Sequence, residues 1–162
     1  LPEADEEIDP AFYHYPNATI PMTTVDAVPV RIIIGSAYGQ TSPVKQFAET
    51  LYIEASLKAG QSLTLPQAAE RALYIAAGKV QARDQHLSQY EMAVLDGHSE
   101  VSIEALEDSR IALIGGEAMQ RRFIEWNFVS SRKERIEQAK SDWQQGKFPK
   151  VPGDENEFIP LP

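Results

Sequence analysis

Gly60-Gln-Ser-Leu-Thr-Leu-Pro-Gln-Ala-Ala-Glu-Arg-Ala-Leu-Tyr-Ile-Ala-Ala-Gly78 is the stretch on which the fold assignment rests. Gly60-Gln61 reads as a turn, Ser62 to Leu65 as a short strand that Pro66 stops, and Arg71 to Ala76 as a second strand. Ala77-Gly78 breaks the run and Lys79 to Arg83 resumes it. Upstream, Ala48 to Leu57 sets Leu51, Ile53, Ala55 and Leu57 on one parity against Tyr52, Glu54 and Ser56, which describes a half-buried strand. Val30-Arg-Ile-Ile-Ile34, ended by Gly35, reads as a buried strand. Downstream, Glu91 to Leu95 is followed by the turn signal Asp96-Gly97. Glu100 to Leu106 alternates Val101, Ile103 and Ala105 with polar neighbours, and Ile111 to Ile114 returns after Glu107-Asp108 to end at Gly115-Gly116. Many short strands at regular spacing predict an all-β sandwich or small barrel.

The flanks read differently. Pro2, Pro10, Pro16, Pro21 and Pro29 exclude a long helix from the first 29 residues and favour extended segments or single turns. The aromatic knot Phe12-Tyr-His-Tyr15 is expected to pack on the main body. One helix is legible. Ser131-Arg-Lys-Glu134 has the capping-box pattern, in which the serine oxygen accepts from the Glu134 N–H while the Glu134 side chain reaches back to the serine N–H. Ile136, Ala139 and Trp143 then form one apolar stripe, and Gly146 supplies the stop. Phe148 to Pro162 is a proline-rich tail whose Phe148, Phe158, Ile159 and Leu161 call for a packing surface.

At 162 residues the chain suits one domain of ordinary size. A formal charge of −9, with acids gathered at Glu3 to Asp9 and Asp154 to Glu157, repels phosphate backbones and anionic membrane surfaces, so neither direct nucleic-acid nor membrane binding is expected. No apolar run approaches the roughly 18 residues of a membrane span. The chain has no cysteine, which removes disulfides and thiolate metal sites and is compatible with a reducing, cytoplasmic compartment. It begins at Leu1 in an acidic, linker-like stretch, so a preceding segment is expected in the natural protein.

Residues that carry chemistry are sparse. His14, His86 and His98 lie far apart and form no i, i+2 or i, i+4 pair, so they read as exposed or locally bonded rather than as ligands. Ser36, His86 and Asp96 supply the residue types of a triad, but no nucleophile elbow accompanies them. Gly35-Ser-Ala-Tyr-Gly39 lacks the third glycine of a dinucleotide fingerprint and opens no helix, so a turn between strands is expected. The paired acids Glu6-Glu7, Glu107-Asp108 and Asp154-Glu155 sit in turns and tails, where a solvated face is the default. Trp126, Phe128, Trp143, Phe148 and Phe158 are expected as a packing or partner surface, beside the basic spots Arg121-Arg122 and Arg132-Lys133.

The tail also carries a resemblance. Trp126-Asn127, followed by Phe128-Val-Ser-Ser-Arg-Lys-Glu-Arg-Ile-Glu-Gln-Ala-Lys-Ser-Asp-Trp-Gln-Gln-Gly-Lys-Phe148, resembles the C-terminal signature of the pirin family, as does the ending Val151-Pro-Gly-Asp-Glu-Asn-Glu-Phe-Ile-Pro-Leu-Pro162. Leu1-Pro2 with its acidic run is similar to that family's inter-domain connector, and Pro29-Val-Arg-Ile-Ile-Ile-Gly35 to the strand opening its second domain. The family is similar to bicupins: two β-barrels in tandem, with a metal, usually iron, held by histidines and a carboxylate in the N-terminal barrel. Some bacterial members act as quercetin 2,3-dioxygenases, and the animal member is a nuclear transcription co-regulator. The resemblance therefore implies an all-β cupin (RmlC-like jelly-roll) β-barrel with one C-terminal α-helix and an extended packed tail. It divides the chain into a linker and edge segment (1–29), the barrel (30–127), and a helix and tail packing on the barrel (128–162).

The first cupin motif, counted from Gly60, puts its two histidine positions at Pro66 and Ala68, with Glu70 and Gly78 near the ends of the pattern. Between Leu95 and Gly116 the second motif finds only His98. No catalytic residue, metal ligand or cofactor is expected in this chain; iron or another divalent metal is expected only in an N-terminal cupin. The implied role is structural, with that N-terminal domain as the partner and homodimerisation of the chain alone as a further expectation. Two alternatives stand beside it: a share in a dioxygenase active only at full length, and a small-molecule sensor barrel with Tyr52, Tyr74 and Met92 as candidate lining.

Overall fold

The structure is a computed structural model that describes residues 1–97 and 99–162. The chain divides into two compact units, Asp9–Ala118 and a discontinuous one made of Leu1–Ile8 with Met119–Pro162. The larger unit is all β. Its strands are β1 (Met22–Val25), β2 (Val28–Ile34), β3 (Ser36–Ala37), β4 (Gln40–Thr41), β5 (Thr50–Leu57), β6 (Ser62–Thr64), β7 (Glu70–Ala77), β8 (Lys79–Ala82), β9 (Gln85–Ser88), β10 (Met92–Leu95), β11 (Ser102–Ala105) and β12 (Ser109–Gly116).

Antiparallel pairing assembles a six-stranded sheet in the order β1-β2-β5-β12-β7-β10 and a four-stranded sheet in the order β6-β11-β8-β9. The two sheets share one core but are not hydrogen-bonded into a closed cylinder. The core follows from alternation. In β5 the residues Leu51, Ile53, Ala55 and Leu57 are buried and their neighbours are not; Leu73 and Ile75 of β7 and Ile111 and Leu113 of β12 line up beside them. The facing sheet contributes Leu63, Val80 and Ile103. Each fully buried Leu or Ile is worth about 1.5–3 kcal/mol of apolar transfer, so the alternation dictates register: a slip of one residue would expose the whole row.

The expected strands are present with shifted ends, and in this unit sequence reading missed β1 and β9 as well as the two-residue strands β3 and β4. β1 lies in the proline-punctuated segment, and β9 lies where a polar loop was expected. In β9 only Leu87 is buried, so no alternation announces it. The Gly35–Gly39 segment is the expected turn: Tyr38 and Gly39 both have positive φ (51° and 74°) between β3 and β4, as a two-residue hairpin of this hand requires. Packing of the aromatic knot is corrected for Phe12, which is 90% exposed; Tyr13 and Tyr15 instead accept hydrogen bonds from Lys45 Nζ and N through their hydroxyls.

The smaller unit holds a 3-10 turn at Glu3–Asp5, a hairpin of β13 (Phe123–Glu125) and β14 (Phe128–Ser130), and the helix α1 (Lys133–Gln144). The helix buries Ile136 and Ala139 as the stripe predicts, and Gly146 ends it at φ 65°. The capping box does not form. Ser131 directs both its N–H (2.8 Å) and its Oγ (2.9 Å) to the carboxylate of Glu6, so an acid 125 residues away in sequence takes the role expected of Glu134. Ser130 Oγ adds a 3.2 Å bond, and Arg122 Nε lies 3.0 Å from the same carboxylate. Glu7 pairs with Arg132 and Arg135, completing a clasp of the first eight residues on the helix start. Burial alone would raise the Glu6 carboxyl, but the bonds from Ser131 and Ser130 and the Arg122 charge outweigh it and hold the group below its usual value. Among the described residues no helix is long and apolar enough to cross a membrane.

Candidate functional site

The positions where the cupin motif would place ligands lie in the connection from β6 to β7. Leu65 is buried there, Pro66 and Ala68 are partly exposed, and Glu70, the first residue of β7, is exposed. Neither Pro66 nor Ala68 carries a donor atom on its side chain. What occupies the connection is Arg71, 3% exposed. It lies on the same parity of β7 as Leu73 and Ile75, so the strand aims its side chain inward with the core residues.

The Arg71 guanidinium donates to backbone carbonyls. Nη1 donates to Pro66 O (2.6 Å) and, at 3.5 Å, to Leu65 O. Nε and Nη2 both donate to Asp96 O (3.2 and 2.9 Å), and Nη2 also donates to Ser99 O. One fork thus ties the β6–β7 connection to the segment after β10. On the other side of that connection, Tyr38 donates its hydroxyl to Thr64 O at 2.7 Å. Burial, helped by the charge of Asp26, pushes the Tyr38 phenol far above its usual range, so it stays a donor.

These residues do not fit a metal. Among the described residues no three His, Cys, Asp or Glu converge, and a fixed guanidinium at the loop ends repels a divalent cation. His98 lies outside the described residues. His14 and His86 are exposed, the latter opposite Gln81 in the β8–β9 pair. Of the triad residue types, Ser36 bonds to Thr41 (2.9 Å) within its own hairpin. Sequence reading overlooked Arg71, although a basic residue on the apolar parity of a buried strand was the available signal.

Tyr52, Tyr74 and Met92 do not line the interior. All three take the parity opposite to the buried rows and lie on the outer face of the six-stranded sheet, where Met92 faces Tyr74 and Ile114 faces Tyr52. Val94 and Ile114 join them, giving an outer face with Met92 53%, Val94 87% and Ile114 43% exposed. The interior is filled by Ile32, Ile53, Leu73, Ile75, Ile111 and their partners, which leaves the sensor reading without its proposed lining.

In the smaller unit the five aromatics do come together. Trp143 meets Trp126, Phe148 and Phe158 at centroid distances of 5.2, 5.6 and 5.6 Å, and Phe128 stacks on Phe148 at 5.9 Å. Trp143 Nε1 donates to Ile159 O (2.8 Å), which fastens the tail to the helix. Phe158 remains 57% exposed, so the cluster is a packed floor with an open side.

Residues 52–149 match the pirin C-terminal cupin domain. The chain belongs to the pirin family. A pirin-like protein of Caulobacter vibrioides is 44% identical over the whole of this chain, which covers 57% of that relative. A putative quercetin 2,3-dioxygenase of Pseudomonas aeruginosa is 27% identical over 91% of the chain and 54% of its own length. Among solved structures, a quercetin 2,3-dioxygenase from Acinetobacter baumannii superposes with a TM-score of 0.89 over the whole chain and 56% of that protein, at 24% identity, and shares the fold. This pirin-family chain therefore spans just over half the length of the relatives it matches.

Proposed function

We propose that this chain is the metal-free C-terminal cupin of a cytoplasmic pirin-like bicupin and serves as a structural partner for a metal-bearing N-terminal cupin, in a protein with quercetin 2,3-dioxygenase-type activity at full length. The observation that carries the reading is Arg71. At the strand connection where a metal-binding cupin needs imidazoles, this chain has Pro66 and Ala68 and a guanidinium bonded to four carbonyls. That arrangement stabilises a scaffold and disfavours a cation. Oxygen chemistry on a flavonol needs a redox centre, which would come from the N-terminal domain.

The apolar outer face of the six-stranded sheet supports a packing partner. Tyr52, Tyr74, Met92, Val94 and Ile114 form a strip that water covers at a cost, and the relatives contain nearly as much chain again. The N-terminal cupin is the occupant we assign to it. Metal analysis and quercetin turnover, run on this chain and on the full-length protein, test the reading. The short chain is expected to hold no stoichiometric metal and to show no turnover, while the long one shows both. One equivalent of iron coordinated by side chains of the short chain, or turnover by it alone, would overturn the proposal.

A further inference from the structure

We propose that the smaller unit carries a binding cleft for a small organic cation, of the aryl- or alkylammonium class, between the end of α1 and the tail. The cleft measures about 650 Å³, within the range of small-molecule sites, and lies entirely in the segment 143–159. Its floor is aromatic. Trp143 and Phe158 are stacked at 24°, and Phe148 stands at 65° to Trp143, so the open side presents the exposed ring of Phe158 beside that of Phe148. Its rim is acidic: Asp154, Glu155 and Glu157 against one base, Lys150.

The rim charges are not used up internally. The carboxylates of Asp154 and Glu157 make no hydrogen bond or ion pair among the described residues, whereas Glu155 accepts from the Gly153 N–H (3.0 Å) and Lys150 Nζ donates to Glu155 O (3.0 Å). The end of α1 contributes Trp143 and Gln144 to the wall; its last carbonyls are capped by the N–H groups of Gln145, Gly146 and Lys147, and Lys147 Nζ pairs with Asp142 (2.9 Å), so the helix end is neutralised and the unpaired charge of the cleft is that of Asp154 and Glu157. Aromatic faces and unpaired carboxylates both favour positive charge, and the apolar floor favours a ligand with a hydrocarbon or aryl body. A neutral aromatic would use the floor alone; an anion would meet the rim as repulsion.

The chain supplies its own reporter. Its two tryptophans, Trp126 and Trp143, both belong to the aromatic cluster, so intrinsic fluorescence reads the cleft without a label. Titration with benzyltrimethylammonium is expected to change the emission saturably, with affinity about tenfold above that of benzyl alcohol and no response to benzoate. Asp154→Asn/Glu157→Gln should weaken the ammonium about tenfold, and Lys150→Gln should strengthen it about threefold, because it removes the one opposing charge. The gain in Lys150→Gln is a sign that a merely structural role would not produce. Benzyl alcohol or benzoate binding as tightly as the ammonium, indifference to both variants, or no saturable response would each overturn the assignment.

Discussion

Replacing Arg71 with methionine keeps a long unbranched stem in the core and deletes every donor on it. The carbonyls of Pro66, Asp96 and Ser99 then lose their partner, with the 3.5 Å contact to Leu65 a minor fourth. An acceptor left unmade costs about 1–3 kcal/mol, and these three are part-buried at a loop edge that water can reach, so the lower end applies and the sum is about 3 kcal/mol. Relief from holding a guanidinium out of water offsets part of it, which leaves a net loss of about 2–3 kcal/mol. For a chain of this length that corresponds to a fall in Tm of about 4–12 °C. Urea unfolding followed by far-ultraviolet circular dichroism measures it, with an unchanged m value expected because the surface exposed on unfolding is the same. Arg71→Lys should fall between the two proteins, since an ammonium cannot span Pro66 and Asp96 as the planar fork does. If the methionine variant lay within about 0.5 kcal/mol of the parent, the ordinary scatter of surface substitutions, the fork would be ornamental and the reasoning about the connection wrong.

Other perturbations probe other links. Glu6 has a lowered carboxyl pKa, so its contribution to the clasp is complete above the ordinary value near 4.5 and is lost as pH falls through the lower folded value; Glu6→Gln should flatten the acid limb of tryptophan fluorescence against pH, and an unchanged limb would refute the clasp. Gly35 and Gly60 both have positive φ, but a Cβ at Gly35 would collide with Thr50 O while one at Gly60 meets open space. Thermal melts should therefore show Gly60→Ala losing about 1 kcal/mol, the strain of the left-handed conformation, and Gly35→Ala clearly more. Val94→Lys, on the exposed outer face, should leave the stability of this chain within about 0.5 kcal/mol while weakening its association with a separately produced N-terminal domain; equal binding in sedimentation would move the partner surface elsewhere.

What the sequence made legible was whatever repeats locally. Leu51, Ile53, Ala55 and Leu57 announce their strand because burial on one face enforces a period of two. Ile136 and Ala139 announce the helix for the same reason at a longer period. β9 carries one buried residue in Gln85–Ser88, so there was no period to detect. The capping box misled because its local pattern is real, yet a carboxylate from a distant segment reaches Ser131. The candidate site divides in the same way. Missing imidazoles at Pro66 and Ala68 could be counted from the chain alone, whereas the Arg71 fork depends on carbonyls from two separate segments. Parity along a strand was readable, but which parity faced inward at Tyr52, Tyr74 and Met92 had to come from the paired strands.

The clasp at Glu6 also bears on how the chain is made. Its partners Ser130 and Ser131 emerge more than 120 residues after it, so during synthesis the first segment waits while the whole of Asp9–Ala118 is translated. The helix start is without its carboxylate until that point, and the ion pairs of Glu7 are equally late. Closing so long a loop in a disordered chain is costly, whereas a β unit that has already folded holds its two ends at fixed positions and removes most of that cost. The clasp can therefore close only after Ser131 has emerged, and removing either Leu1–Ile8 or the segment that carries Ser130 and Ser131 takes away one half of it.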